Sequence, residues 1–358
     1  MSEEISLMKG NEAIAHAAVR YGADGYFGYP ITPQSEIIET LMELAPWKTT
    51  GMIVMQAESE LAAINMVYGG AGCGKAVMTS SSSTGMSLKM EGISYIAAGE
   101  LPCLLVNVMR GGPGLGTIQP SQSDYFQTVK GGGHGDYRLI TLAPYSVQEM
   151  ADFVALGFDL AFKYRTPSMI LTDGVIGQMM EKVRLPEFKR RRSEEEIRKQ
   201  CPWATLGRTP DRAPNFLTTL EMDSSLMEQR NIHLQAKYKE IQQNEVRYQE
   251  VLCDDADYLL VAFGSAARIC LKTVDLARAE GLKVGLLRPI TLWPFPSEIL
   301  EKYASKVKGM LTVELNAGQM VEDVRLAVNG KMPVEHYGRL GGIVPTPDHV
   351  LEALKKLI

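Results

Sequence analysis

The chain has 358 residues, of which 45% are hydrophobic, and a formal net charge of −5. Two hydrophobic cores fit within this length, and so small an acidic excess argues against nucleic acid or an anionic membrane as the main partner. No apolar run approaches the ~18–20 residues that cross a bilayer, and the N-terminus lacks a signal-peptide pattern, so we expect a cytoplasmic protein.

The first part of the chain, residues 1–185, alternates helical patterns with short apolar runs. A helix is predicted over 10–22, a strand at YFGYP and a second helix from Thr32, followed by the runs GMIVMQ, AVMTSS, LPCLLVNVMR, LITLAP and PSMILTD. Such alternation is typical of βα units around a parallel sheet. We therefore predict an α/β domain over 1–185.

The remaining chain divides into a connector over 186–255 and a second α/β domain over 256–358. The connector is rich in charge and proline and contains a charged helical stretch over 224–250. The second series has apolar runs at DYLLVAFGS, KVGLLRPITLWPFP and GMLTVELN, with helical patterns over 266–280 and 297–307. The predicted fold class is thus α/β with two parallel-sheet domains.

Residues 69–76, GGAGCGKA, match a phosphate-binding P-loop except at Ala76, which has no hydroxyl for magnesium. The element order is also reversed, because a helix predicted over 59–68 precedes the glycines and a strand over 76–80 follows them. The pattern instead predicts a helix end and a turn into the strand. The five cysteines are scattered, without a C-x-x-C pair, and predict no metal site on this chain.

Two acids, Glu58 and Glu60, stand at the start of the nearly apolar helix that precedes these glycines. If both are helical, their side chains point roughly 200° apart, so they do not share one site. Acids in a first turn often only offset the helix dipole, an effect of ~0.3–1 kcal/mol. Glu60, however, shares its face with Ala63, Ile64 and Val67 and should be buried, where a carboxylate needs a hydrogen-bond partner.

Thr32 and Arg110 are expected at the carboxyl edge of the same sheet, where open α/β folds bind ligands. Thr32 would cap a helix whose first residue is Pro33, with its hydroxyl in the crevice, although it could serve only as a cap. Arg110 follows an apolar strand directly and could clamp a carboxylate, or pair with a surface acid. The three side chains together indicate a site.

Several of these motifs resemble one family. YPITP, ESELAAINMVYGGAG, TSSSSTG and VNVMRGGPGLGTIQPSQSDY are similar to the α subunit of 2-oxoacid:ferredoxin oxidoreductases, and RPITLWPFP and VELNAGQM extend the resemblance into the second domain. The run GPGLGTIQPSQSDYFQTVKGGGHGDYR most resembles the branched-chain members, which act on 3-methyl-2-oxobutanoate (2-oxoisovalerate).

The resemblance implies a thiamine diphosphate pyrimidine-binding domain followed by a transketolase C-terminal-like domain. It assigns Glu60 to the hydrogen bond with N1′ of the cofactor's aminopyrimidine, since related domains carry Glu, Ala at +3 and Gly at +9, as at Glu60, Ala63 and Gly69. It further implies that Thr32 and Arg110 contact the substrate and, less directly, that Ser82, Ser83 and Gly85 line the cofactor pocket.

The implied reaction is oxidative decarboxylation of a 2-oxoacid with coenzyme A and oxidised ferredoxin, in anaerobic metabolism. A β subunit would carry the diphosphate and magnesium site, and γ and ferredoxin-like δ subunits would complete the complex with 4Fe-4S clusters. Two alternatives stay open: an enzyme of this family acting on 2-oxoglutarate or pyruvate, and a non-catalytic scaffold subunit that keeps the fold.

Overall fold

The structure is a computed structural model that describes residues 5–210 and 212–358. Within these residues the elements follow one another in the order β1 (Ile5–Lys9), α1 (Gly10–Tyr21), β2 (Gly25–Gly28), α2 (Ser35–Leu44), α3 (Pro46–Thr49), β3 (Ile53–Gln56), α4 (Glu60–Gly72), β4 (Val77–Ser81), α5 (Ser83–Ala98), β5 (Leu104–Met109), α6 (Tyr125–Val129), β6 (Ile140–Leu142), α7 (Val147–Tyr164), β7 (Ser168–Asp173), α8 (Gly174–Gln178), β8 (Met180–Arg184), α9 (Glu194–Gln200), α10 (Ser224–Asn244), β9 (Tyr248–Val251), β10 (Tyr258–Val261), α11 (Gly264–Ala279), β11 (Val284–Pro289), β12 (Thr291–Trp293), α12 (Ser297–Ala304), β13 (Gly309–Glu314), α13 (Met320–Val328), β14 (Val334–Gly338) and α14 (Pro347–Lys355).

The larger sheet has the strand order β12-β6-β7-β5-β4-β2-β3. Its pairs from β6 to β3 are parallel, whereas β12 adds to the edge antiparallel to β6. The buried side chains of β5 alternate between two cores: Leu104 and Val106 face the core that holds α1 and α7, and Leu105 and Met109 face the core that holds α4 and α5. Helices therefore cover both faces, as the sequence predicts.

A second sheet of five strands has the order β14-β13-β10-β11-β9, parallel except for β9 at its edge, and β1 pairs antiparallel with β8 in a separate two-stranded sheet. Helices α11 and α14 cover one face, while α12 and α13 belong to the same apolar cluster as α4 and α5 of the larger sheet. That cluster continues from one sheet to the other. The second parallel-sheet unit predicted from the sequence is confirmed.

Among the described residues the connector contributes α9 and α10. The helical stretch predicted over 224–250 is wrong at its end, because α10 stops at Asn244 and Tyr248–Val251 form β9, which pairs with β11 in the sheet of the second domain. The buried side chains of α10 are Leu234, Tyr238 and Ile241. Lys237 on the same helix donates to Glu100 at 2.9 Å and to the Arg165 carbonyl at 3.0 Å, which fixes α10 to the first domain. No helix among the described residues has the length and apolar character to cross a membrane.

The predicted start of the helix at Thr32 is wrong. Helix α2 begins at Ser35 with Gln34 as its N-cap, and Thr32 lies in a turn. Tertiary hydrogen bonds explain the difference: the Pro33 carbonyl accepts from Asn11 Nδ2 at 2.7 Å and from Gln178 Nε2 at 3.1 Å, which holds the segment outside the helix.

The helix predicted over 59–68 also differs at its end, because α4 continues through the glycines to Gly72. At Gly70 a Cβ would lie 2.9 Å from Val77 Cγ1, so glycine lets the helix pack closely on β4. The turn into the strand is made by Gly74, with φ of 71°. The order helix, turn, strand is as predicted and is the reverse of a P-loop.

Candidate active site

Glu60 is the first residue of α4 and is 7% exposed. The Ser59 hydroxyl caps the helix by accepting from the Ala62 amide at 3.1 Å. Within residues 5–210 and 212–358 no hydrogen bond is made to the Glu60 carboxylate, which leaves it available to a ligand. Glu58 precedes the helix and is exposed. The burial that the spacing predicts for Glu60 is thus confirmed, whereas its role stays a prediction.

The turn from β4 into α5 forms the wall opposite Glu60. A Cβ built on Gly85 would lie 2.6 Å from Glu60 Oε1 and would also meet Ser81 Oγ, so a bare Cα is needed at this position. The hydroxyls of Ser81 and Ser82 are buried and have no hydrogen-bond partner among the described residues. Buried hydroxyls normally find partners, which indicates that this wall meets a polar ligand.

Ser83 links this wall to the end of β5. Its hydroxyl lies 2.7 Å from Asp124 Oδ2 and 3.1 Å from the Arg110 carbonyl oxygen, and it accepts from the Arg110 amide at 3.0 Å. The Ser83 amide donates to Asn107 Oδ1 at 3.1 Å, with Ser83 at a φ of 25°. Burial raises the pKa of Asp124, against the hydrogen bonds from Ser83 and Asn107. The Ser83 side chain is therefore engaged within the protein and holds the Arg110 backbone.

Arg110 directly follows β5 and is 7% exposed. Its guanidinium donates to the Thr32 carbonyl at 3.0 Å, to Thr84 Oγ1 at 3.2 Å and to the Leu115 carbonyl at 3.1 Å. The Nε–H is buried without a partner, and we find no carboxylate of the described residues paired with the guanidinium. A fixed, buried cation with an unused donor is suited to binding an anion. The Thr32 residue itself is exposed.

Lys89, on α5, belongs to the same region and was not singled out by the sequence motifs. It is fully buried, and its ammonium donates to Thr79 Oγ1 at 2.9 Å. Burial lowers the pKa of Lys89 to about 8, against the opposing effect of the Glu60 charge. The sequence contains one clue to the position of Lys89. It lies four residues after Gly85, and residues four apart share a face of a helix.

Comparison with known proteins identifies the family. The profile described as pyruvate flavodoxin/ferredoxin oxidoreductase, thiamine diP-bdg, matches residues 16–248, and the profile for pyruvate:ferredoxin oxidoreductase core domain II matches residues 256–350. The chain belongs to the 2-oxoacid:ferredoxin oxidoreductase family. This confirms the family that the sequence motifs resemble and its thiamine diphosphate-binding domain.

Relatives within the family include subunit VorB of the ketoisovalerate oxidoreductase of Methanothermobacter thermautotrophicus, which is 48% identical over 98% of this chain and 97% of its own length. The 2-oxoglutarate synthase subunit KorA of Methanothermobacter marburgensis is 34% identical over 99% of each chain. Relatives with these names support the chain's position as one subunit of a larger oxidoreductase.

Among solved structures, the 2-oxoglutarate:ferredoxin oxidoreductase of Magnetococcus marinus, with 2-oxoglutarate, coenzyme A and succinyl-CoA bound, superposes with a TM-score of 0.86 at 27% identity. The match covers 99% of this chain and 65% of that one, so the present chain spans about two thirds of its solved relative. A split-gene transketolase with a TM-score of 0.60 and 14% identity shows the same fold.

The site fits the pyrimidine end of the thiamine diphosphate that this oxidoreductase family uses. The Glu60 carboxylate has no hydrogen-bond partner among the described residues, the hydroxyls of Ser81 and Ser82 are buried without partners, and the bare Cα of Gly85 lets the Glu60 carboxylate lie against the start of α5. A polar aromatic ring would satisfy these groups. In the described part of the chain we find no cluster of three His, Cys, Asp or Glu side chains arranged for a metal ion.

Proposed function

We propose that this chain is the α subunit of an oxidoreductase that oxidatively decarboxylates a branched-chain 2-oxoacid with coenzyme A and passes the electrons to ferredoxin. The observation that carries the proposal is that Glu60 and Arg110 are both buried beside the start of α5, where Arg110 keeps an unused Nε–H donor. Residues 1–185 would form the pyrimidine-binding domain, 186–255 the connector and 256–358 the transketolase C-terminal-like domain.

In this proposal Glu60 holds the proton that is exchanged with a ring nitrogen of the cofactor, which is general acid–base work suited to a buried carboxyl group. Arg110 binds the substrate carboxylate, and Thr32 lies beside it near the oxo group. Ser82, Ser83 and Gly85 line the cofactor pocket, with Ser83 acting through the Arg110 backbone. Bound thiamine diphosphate supplies the carbon nucleophile for the 2-oxoacid carbonyl.

A monocarboxylic substrate is supported by the positions of the lysines near the site. A second substrate carboxylate, as in 2-oxoglutarate, would call for a second cation beside Arg110. Lys89 is fully buried, Lys130 pairs with Asp323, and Lys75 follows the end of α4, roughly 20 Å from the start of that helix at 1.5 Å per residue. The higher identity to a ketoisovalerate oxidoreductase subunit than to 2-oxoglutarate synthase subunits points the same way.

The partner subunits belong to the proposal as well. Exposed apolar side chains surround the start of α4 and α5 and follow the edge strand β3, namely Ile53, Met55, Leu61 and Leu88. Apolar groups beside an active site indicate a surface that another chain covers. We propose that a β subunit carrying the diphosphate and magnesium site docks here, with γ and ferredoxin-like δ subunits holding the 4Fe-4S clusters.

The proposal is tested by purifying the native complex and measuring acceptor reduction with a panel of 2-oxoacids. We expect the highest kcat/KM with 3-methyl-2-oxobutanoate. A preference for 2-oxoglutarate or pyruvate would support the proposed reaction and contradict the proposed substrate. A Glu60→Gln complex with full turnover would instead favour the non-catalytic scaffold, because that substitution removes the proposed acid–base group.

A further inference from the structure

Gln319 is the residue before α13, at the turn that follows β13 of the second sheet, and it contacts a segment that leads back to the active site. Its side-chain oxygen accepts from the Phe126 amide at 2.8 Å, and its side-chain nitrogen donates to the Ser123 carbonyl at 2.8 Å. One side chain thus binds main-chain groups on both sides of Asp124. An apolar side chain of the same length would make neither bond.

Gln122, two residues before Asp124, is fully buried and is bound by the same sheet. Its amide donates to the Leu315 carbonyl at 3.0 Å, and its side-chain oxygen accepts from the Leu315 amide at 3.1 Å. Its side-chain nitrogen donates to the Phe263 carbonyl at 2.9 Å, and its carbonyl accepts from Asn316 Nδ2 at 2.8 Å. The main chain around Asp124 is therefore held by residues of the second sheet.

Asp124 connects this segment to the active site. Its Oδ2 accepts from the Ser83 hydroxyl at 2.7 Å and from Asn107 Nδ2 at 2.9 Å. The Ser83 hydroxyl in turn accepts from the Arg110 amide at 3.0 Å. The path of hydrogen bonds that starts at Gln319 thus ends at the residue whose guanidinium has an unused Nε–H.

Arg268, on α11, joins the same two parts of the molecule at another place. It pairs with Glu181 of β8 at 2.6 Å and donates to the Tyr145 carbonyl at 3.4 Å. Among the described residues, neither of these partners forms a hydrogen bond with Ser83, Asp124 or Arg110. A contact that only joins the two parts is therefore present in the chain and can be compared with Gln319.

We propose that Gln319 is a positioning residue of the active site, which acts through Asp124 and Ser83 on the main chain of Arg110. The inference rests on the proposed role of Arg110 in binding the substrate carboxylate. It gives the second sheet a part in binding the 2-oxoacid, beyond packing against the first domain. Loss of the Gln319 contacts should weaken binding of the 2-oxoacid and leave the later steps of the reaction unchanged.

The test is steady-state kinetics of the assembled enzyme with the best 2-oxoacid of the panel and coenzyme A varied in turn. Gln319→Met removes both hydrogen bonds at nearly constant size and should raise the KM for the 2-oxoacid by about fivefold, the scale of one ordinary hydrogen bond. The kcat and the KM for coenzyme A should stay within about twofold of wild type. Arg268→Met, the matched control, should leave all three constants unchanged.

A double-mutant cycle with Asp124→Ala tests the path itself. If Gln319 acts through Asp124, adding Gln319→Met to Asp124→Ala should raise the KM for the 2-oxoacid no further, because two changes on one path are not additive. Additive effects would overturn the inference, since Gln319 would then act without Asp124.

A wild-type KM in Gln319→Met also overturns the inference, as does an equal rise in Arg268→Met, which would indicate a general loosening between the two parts. Arg110→Lys separates this inference from the proposed function. If Arg110→Lys raises the KM and Gln319→Met does not, this inference alone fails, whereas a wild-type KM in both means that the proposed role of Arg110 fails as well. If Gln319→Met does not assemble, Gln319→Ala removes the same two hydrogen bonds, and the same outcomes apply to it.

Discussion

The Glu60 carboxylate lies directly against the bare Cα of Gly85, so that a Cβ at position 85 would be 2.6 Å from Glu60 Oε1. The contact joins the start of α4 to the first turn of α5. A side chain as small as a methyl group is therefore expected to displace the carboxylate.

Gly85→Ala tests this relationship. Alanine is the better helix former by roughly 0.5–1 kcal/mol, so the helix itself should not suffer. The added methyl should nevertheless push Glu60 and Ser81 apart, and we expect turnover of the assembled enzyme to fall by about tenfold or more. Steady-state kinetics beside a thermal-unfolding curve would check this. Wild-type kinetics in Gly85→Ala would show that the wall opposite Glu60 is not part of the site.

Glu60→Gln should lower turnover by about 10²–10⁴, the range typical of an acid–base group. Glu58→Gln is the matched control, because Glu58 is exposed and lies before the helix, whereas Glu60 is buried at its first position. We expect a mild effect there. Initial rates of both variants should be measured with saturating cofactor. Equal losses of turnover in the two variants would contradict the assignment of the cofactor contact to Glu60.

Arg110→Lys should raise the apparent KM for the 2-oxoacid by about tenfold or more while the charge is kept. A lysine ammonium has three donors on a flexible stem, and it would have to replace the contacts with Thr32, Thr84 and Leu115 as well as bind substrate. Kinetics with several 2-oxoacids are the measurement. If the lysine variant behaves as wild type with each of them, the carboxylate is bound elsewhere.

The larger features of the fold could be predicted because they repeat along the chain. Apolar runs alternating with helical patterns predict the parallel strands β2 to β7, and the spacing of Ala63, Ile64 and Val67 predicts the burial of Glu60. The short β12 and the antiparallel β9 are edge strands whose pairing depends on distant chain segments, so local pattern carries little information about them.

The site was less predictable where tertiary contacts override local rules. Thr32 followed by Pro33 has the pattern of a helix start, but hydrogen bonds from Asn11 and Gln178 to the Pro33 carbonyl move the start to Ser35. Nor does the sequence indicate that Lys89 is buried, because lysine in a helix is usually at the surface. Both surprises lie beside the proposed ligand pocket.

Lys89→Met should change how stability depends on pH. Burial lowers the pKa of Lys89 to about 8 from an unfolded value of 10.5, so between these pH values the unfolded chain binds a proton that the folded chain does not. The free energy of unfolding of the wild type should therefore rise, relative to Lys89→Met, as the pH goes from about 8 to 10.5. Thermal unfolding of both proteins across this range would measure it, and parallel curves would contradict the burial of a titrating ammonium.

The chain alone is predicted to have no oxidoreductase activity and to bind thiamine diphosphate weakly or not at all. In thiamine enzymes the diphosphate is held through magnesium by a Gly-Asp-Gly motif. This sequence has no such motif, and its most similar tripeptides include Gly135-Asp136-Tyr137 and Thr172-Asp173-Gly174. Asp173 is fully buried, and its carboxylate accepts from Ser265 Oγ at 2.6 Å and from the Val175 amide at 2.9 Å, so it is engaged in joining β7 to α11.

Electron transfer should fail in the single chain for a similar reason. The five cysteines are free and four of them are buried, and among the described residues no three His, Cys, Asp or Glu side chains lie together as metal ligands, so the cysteines do not provide the four thiolates of an iron–sulfur cluster. Both functions then depend on partner subunits. Calorimetry with magnesium and thiamine diphosphate, together with an acceptor-reduction assay on the purified chain, is the measurement. Tight magnesium-dependent binding accompanied by turnover would mean that this chain holds the whole cofactor and that the proposed shared site is wrong.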